Sequence, residues 1–361
     1  MSSRLASRLR IAPRAAARML SSRARPENPR RILIAHSLLL GDVLMLTPLL
    51  AKLRERYPRA EIAMTVRRAL IPLFVGRPYG IVAVEYDPAD AGTLKPLLGG
   101  PFDLALVPGD NRYSWLASAA GARWIVAFAG DRPAYKSWPV DEEVPFPAKP
   151  MSWGDMAATL VDGPAPAPYR AGDWPAPPFS LFDFPRVPYV VMHVGAGSPL
   201  RLWPAQNWLA VAAALEARGF TAVWSAGPGE ALPDAQRMAY PGNLDLAQVW
   251  HLLAGTAGLI TLDTGIAHMA KLVGAPTVAL FGPGSPILFG RGEFFRNMPF
   301  VAAGPADFEC RDQQTFFKRR IEWVRRCQRT PAECPAPRCM HAIGVDHVLA
   351  AAATAGFYGR N

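Results

Sequence analysis

Apolar and polar positions fall into two repeated cycles along the chain. In the first, residues 31–36, 62–66, 81–84, 103–107 and 124–128 read as strands, and residues 42–57 carry a helical pattern that stops before Pro58. Continuous apolar runs, rather than strictly alternating ones, mark strands buried on both faces of a parallel sheet. The second cycle has strands at 189–194, 222–225, 258–262 and 277–281, and Asp245 followed three residues later by Gln248 predicts a capped helix start. Between the cycles, proline recurs so often over 162–188 that neither helix nor ladder can continue. The pattern predicts an α/β protein of two doubly wound domains, 31–162 and 189–350, joined by a proline-rich linker over 163–188. Ligands in such sheets bind beyond the C-terminal ends of the strands, so the loops there carry the expected chemistry.

Composition narrows the class. With 361 residues, half of them apolar and 19% charged, the chain has material for two cores and is neither disordered nor fibrous. Its longest apolar stretch, 38–51, is broken by Gly41, Asp42 and Pro48, short of the ~18 residues a spanning helix needs. Four cysteines are too few for a disulfide scaffold, and no secretory signal opens the chain, so a cytoplasmic setting is expected. The formal charge of +10 is local: residues 1–31 hold nine arginines against Glu27 alone. No nucleic-acid partner is therefore expected. Residues 1–30 read as a basic flexible tail in which Leu5, Leu9, Met19 and Leu20 could form one side of a short helix interrupted by Pro13. A solvated extension, an arm on an anionic membrane surface and an organelle leader all fit that composition.

Four strand-end loops hold the candidate chemistry. After the first strand, Gly41 permits a tight turn and Asp42 opens the next helix, either as its cap or aimed at a ligand. The dinucleotide fingerprint G-x-G-x-x-G is absent there, which weakens a dehydrogenase reading. After the strand at 189–194, Gly195 and Gly197 let backbone N–H groups approach an anion, and Arg201 adds a fixed positive charge. Glu230, in Gly227-Pro228-Gly229-Glu230, could accept hydrogen bonds from a ribose. The fourth loop, Asp263-Thr264-Gly265-Ile266-Ala267-His268, sets a helix start with about half a positive charge where a phosphate would sit.

Read together, GDVLMLTPLL, RLWPAQNW, GE at 229–230 and LDTGIAHMAKLVGAPTVALFGP resemble glycosyltransferase family 9, the ADP-heptose:lipopolysaccharide heptosyltransferases. FDLALVPGDNRYSWLASAAGARW is similar to a further segment of that family, and the likeness runs over roughly 30–350. It implies a GT-B type fold, two Rossmann-like domains facing across a cleft, with acceptor on the first and nucleotide sugar on the second. It implies Asp42 as general base; Arg201 where the family often has lysine, on the donor phosphate; Glu230 on the nucleoside; and Asp263, Thr264, Gly265 and His268 around the pyrophosphate and transferred sugar. On the acceptor side, Asn111 and Arg112 lie in a Pro-Gly-Asp-Asn-Arg run that departs from the family's usual pattern, leaving the acceptor open. The expected activity is inverting transfer of a heptose-like sugar to a lipopolysaccharide-core or related lipid-linked glycan, at the inner face of the cytoplasmic membrane. No cofactor is expected, and no Asp-x-Asp metal pair occurs. A non-catalytic relative and a sugar-nucleotide epimerase of the same fold are the alternatives.

Cys310, Cys327, Cys334 and Cys339 fall within thirty residues, spaced C-x16-C-x6-C-x4-C. Unpaired thiols fit this spacing best, and zinc and a disulfide are weaker readings. The basic and aromatic residues among them, including Phe316, Phe317, Arg319 and Trp323, read as a solvated face or as a contact for membrane or acceptor.

Overall fold

Each apolar cycle folds into one six-stranded parallel sheet in the computed structural model, which describes residues 3–19, 23–234 and 236–359. Leu20 lies outside the described residues. The chain divides into two compact units. The first comprises Met1–Lys149, Trp153–Ala167 and Thr315–Glu322; the second comprises Pro150–Ser152, Pro168–Gln314 and Trp323–Asn361.

In the first unit, β1 (Arg31–Ile34), β2 (Glu61–Val66), β3 (Ile81–Glu85), β4 (Leu104–Val107), β5 (Trp124–Phe128) and β6 (Glu142–Val144) run in the order β3-β2-β1-β4-β5-β6. This is the Rossmann order, with its reversal between β1 and β4. The helices are α1 (Ser3–Met19), α2 (Leu40–Met45), α3 (Thr47–Arg56), α4 (Tyr113–Ala119) and α5 (Trp153–Ala158). The single helix expected over 42–57 is two: Pro48, near the start of α3, has no N–H to continue the ladder, and the Thr47 hydroxyl donates to the Leu44 carbonyl at 2.6 Å in its place.

The basic segment differs most from expectation. Instead of a flexible tail, Ser3–Met19 forms one helix running through Pro13 and packed against α4. Ala15 and Ser7 are buried at that contact, and the Ser118 hydroxyl donates to the Ala15 carbonyl at 3.3 Å. Arg10 donates to the Ala91 carbonyl at 3.1 Å, and Arg18 to that of Ala122 at 2.7 Å. These docked contacts offset the ~3 kcal/mol that an interior proline costs a helix.

The second unit repeats the plan. Here β7 (Tyr189–His193), β8 (Thr221–Ala226), β9 (Ala239–Pro241), β10 (Gly258–Leu262), β11 (Thr277–Leu280) and β12 (Phe300–Ala303) run β12-β11-β10-β7-β8-β9, reversing between β7 and β10. Its helices are α6 (Ala205–Glu216), α7 (Leu246–Ala254), α8 (Gly265–Val273), the short α9 (Pro286–Phe289) and α10 (Arg338–His341), and α11 (Val345–Ala355). The predicted capping box is present: Asp245 Oδ1 accepts from the Gln248 N–H at 2.8 Å, and Gln248 Oε1 accepts from the Asp245 N–H at 3.0 Å. Trp203, Trp208 and Trp224 meet edge to face in its core, where truncating any one to alanine would cost about 3–5 kcal/mol.

The proline-rich stretch has no regular structure, yet its second half is pinned to this unit. Tyr169 is fully buried, its N–H donating to the Phe294 carbonyl and its hydroxyl to that of Leu272; Trp174 packs on Trp250. The Cys/Arg-rich segment 310–340 is likewise split. Thr315–Glu322, containing the hairpin β13 (Thr315–Phe316) and β14 (Arg319–Arg320), belongs to the first unit, where Phe316 and Arg319 are buried rather than solvated.

Candidate functional site

Where each sheet reverses its strand order, the loops beyond the two central strands part and leave a crevice. The predicted site residues lie in those loops, one set on each unit.

In the first unit, β1 leads through Ser37–Leu39 into α2. Asp42 is the third residue of that helix and half-buried, and Leu39 occupies the cap position, so Asp42 is not the N-cap. Gly154 of α5 fixes the base of α2, since a Cβ there would stand 2.4 Å from the Met45 carbonyl oxygen. His36, one residue before the loop, is buried. Its Nδ1 accepts from the Leu38 N–H at 3.2 Å, and burial lowers its pKa to about 3, so it shapes the turn as a neutral ring.

Beyond β4, the two acceptor candidates separate. Asn111 is fully buried: its Nδ2 donates to the Phe128 carbonyl and to Ser137 Oγ, both at 2.9 Å, and its Oδ1 accepts from Arg319 Nη2 at 2.6 Å. It is a structural node, not an accessible ligand group. Asp131 and Lys136, 3.0 Å apart, complete that buried network, and Arg319 Nη2 lies 3.6 Å from Asp131. Arg112 stays exposed, held 2.9 Å from Asp110.

In the second unit the donor candidates come together around the ends of β7 and β10. Arg201 Nη1 donates to the Asp263 carbonyl at 2.8 Å and lies 4.0 Å from its Oδ2. That carboxyl is buried, its Oδ2 accepting no hydrogen bond among the described residues, and burial pushes its pKa up against the pull of Arg201, Arg326, Lys271 and Arg311. Thr264 caps α8 without a side-chain cap bond, and Thr264 and Gly265 are half-buried while Ile266 and Ala267 behind them are buried. His268 is buried with Nδ1 making no hydrogen bond among the described residues, and burial, then the charge of Lys271, holds its pKa well below the usual histidine value. It is therefore a neutral ring near the helix start.

At Gly195 the missing side chain makes room for a carboxylate. The Glu230 carboxylate fills the space where its side chain would be, and the same group accepts from the Gly227 N–H at 2.6 Å. Gly197 faces open space and keeps its expected freedom. His193, beneath this loop, stands 3.1 Å from Ser225 Oγ, and burial takes its pKa to about 4.

Sequence reasoning missed Gly284, Arg311 and Lys271. A Cβ on Gly284 would come 2.1 Å from Asp263 Oδ2; Arg311, buried, donates to the Phe281 and Gly282 carbonyls; Lys271 donates to that of Gly290. Only Gly284, in the Phe-Gly-Pro-Gly run after a strand, carried a readable signal.

The four cysteines are free and line one cavity of about 370 Å3, with burial raising the thiol pKa of Cys310 and of Cys339. No group of three or more His, Cys, Asp or Glu among the described residues is arranged to hold a metal ion.

Two Rossmann-ordered units, one with a helix start beside an arginine and a loop-held carboxylate, define a two-domain α/β protein suited to a nucleoside phosphate. The chain belongs to glycosyltransferase family 9 (heptosyltransferase), whose family model matches residues 93–300. Lipopolysaccharide heptosyltransferase 1 of Pseudomonas aeruginosa is 28% identical over 200 residues, 50% of this chain and 56% of that relative, so this chain spans about half the relative's length. Among solved structures, the ADP-heptose lps heptosyltransferase II of E. coli is similar with a TM-score of 0.64 at 18% identity, covering 90% of this chain and 98% of that one. E. coli heptosyltransferase WaaC with ADP gives 0.59 at 16% identity, over 76% and 94%. The fold is of GT-B type.

Proposed function

We propose that the protein is an inverting glycosyltransferase that moves a heptose-like sugar from a nucleoside diphosphate donor, ADP-heptose by its relatives' names, to a lipopolysaccharide-core or related lipid-linked glycan. The observation that carries this reading is Arg201 bonded to the Asp263 carbonyl immediately before α8, a fixed cation next to a helix start whose cap residue makes no side-chain cap bond.

In the reaction, an acceptor hydroxyl attacks the anomeric carbon from the face opposite the leaving group. The new carbon–oxygen bond forms as the bond to the diphosphate oxygen breaks, and the hydroxyl proton passes to the Asp42 carboxylate. Charge gathering on the diphosphate is met by Arg201 and the N–H groups at Thr264 and Gly265, so that no metal is required. Glu230, positioned by Gly195 and Gly227, takes the ribose hydroxyls. Asp263 and neutral His268 line the region next to the transferred sugar. Because such an acceptor is lipid-linked, the enzyme would work peripherally at the cytoplasmic face; no helix among the described residues is long and apolar enough to cross a membrane.

The test is a panel of nucleotide sugars supplied with lipopolysaccharide-core acceptor. The reading expects nucleoside diphosphate release that depends on both acceptor and a heptose donor. Release from no donor, or conversion of the donor sugar without acceptor, would overturn it.

A further inference from the structure

A cavity of about 1040 Å3 lies in the first unit at the C-terminal ends of its strands, and α1 forms one wall of it. Arg4 and Arg8, one helical turn apart, line it from α1; Arg67 and Arg68 line it from the loop after β2, and Arg112 from the loop after β4. All five side chains are exposed. Arg112 is paired with Asp110, but Arg4, Arg8, Arg67 and Arg68 have no ion-pair partner among the described residues. Glu85, Asp87 and Asp90 also line the cavity and offset part of this charge, three carboxylates against five arginines. Asp87 and Asp90 each accept a backbone N–H, from Ala89 and Gly92, both at 2.8 Å, and the arginines remain in excess.

Gathering like charges at one cavity disfavours the empty site, and Arg4 beside Arg8 at i,i+4 weakens the helix further. Of the other arginines of α1, Arg10 and Arg18 tie the helix down through the Ala91 and Ala122 carbonyls and Arg14 bonds the Arg10 carbonyl within the helix, whereas Arg4 and Arg8 make no hydrogen bond or ion pair among the described residues and line the cavity instead. Ser37, in the loop that leads into α2 and five residues before Asp42, also lines the cavity. A ligand group held by the arginines thus lies beside the strand-end loop that leads into the helix of the candidate base.

We propose that α1 is the outer wall of an oxyanion pocket, and that the acceptor sugar is gripped there through a phosphate or carboxylate by Arg4, Arg8, Arg67, Arg68 and Arg112. This rests on the reading of the first unit as the acceptor side. Arginine suits it, since the guanidinium fork bonds either oxyanion in two places. The volume, at the upper end of ordinary ligand sites, accommodates an oligosaccharide end rather than a lone ion.

The test uses the full chain without donor. Binding of glucose 6-phosphate, glucuronate and glucose is measured by calorimetry at low salt for the wild type and for Arg4→Ala/Arg8→Ala, whose fold is checked by circular dichroism. The wild type should bind at least one charged sugar tenfold or more above glucose, the preferred sugar naming the oxyanion. The double substitution should remove most of that preference, and added salt should weaken it. A wild type that does not distinguish charged sugars from glucose, or a variant that binds them as tightly, overturns the proposal. So does a variant that keeps the sugars but no longer sediments with phosphatidylglycerol vesicles, which would assign the two arginines to a lipid surface. The outcomes separate the two readings: the arginine-dependent preference without sugar transfer loses only the proposed reaction, and transfer without the preference loses only this pocket.

Discussion

Glu230 Oε2 lies 1.4 Å from the ideal position of a Cβ on Gly195, so the two residues share one space that only glycine can concede. Gly195→Ala must displace the carboxylate from the Gly227 N–H. ADP affinity measured by calorimetry should therefore fall about tenfold, the scale of one charge-assisted hydrogen bond, for Gly195→Ala and equally for Glu230→Ala. The double substitution should be no worse than either alone. Additive losses would separate the two roles.

Three buried histidines make the fold sensitive to mild acid. His193 and His36 have folded pKa values of about 4 and about 3, and that of His268 is also depressed, each through burial. The unfolded chain takes up these protons near pH 6.5, before the folded one can. Their stabilisation is thus full above about pH 6.5 and is lost as pH falls through the folded values. Asp263, with its raised pKa, acts the opposite way, but alone. The urea midpoint should drop between pH 7 and pH 5, and less so in His193→Asn.

Arg319 joins the Asn111, Phe128 and Ala129 loops of the first unit from an otherwise distant stretch of sequence. Arg319→Ala leaves buried acceptors unsatisfied beside Asp131 and should cost about 3–5 kcal/mol in urea unfolding, the range for breaking a buried pair. A loss under 1 kcal/mol would show the hairpin to be loosely attached.

The thiols should differ in reactivity. Cys339 is buried and its pKa is raised by that burial, so iodoacetamide at pH 7.5 should modify it last, as read by peptide mass analysis.

The central strands of both sheets, the capped start of α7 and the strand-end loops were legible because each is written locally, in apolar runs and helix-start chemistry. The edge strands β6, β9 and β12 were not: Glu142–Val144 is charged, Ala239–Pro241 ends in proline, and short edges need few local signals. The docking of α1 was hidden for another reason. Its buried positions, Ser7 and Ala15, are small residues that allow close packing and carry no apolar stripe. The burial of Asn111 depended on Arg319, some two hundred residues away, a pairing no local pattern encodes.

The central claim is that Asp42 removes the acceptor proton while the second unit holds the donor. Turnover and ADP affinity measured together on Asp42→Asn test it most directly. The account predicts turnover lowered by ~10²–10⁴, the usual cost of losing a general base, with ADP affinity within twofold of wild type. Turnover within a few-fold of wild type in a folded variant would contradict it and leave the transfer without its base.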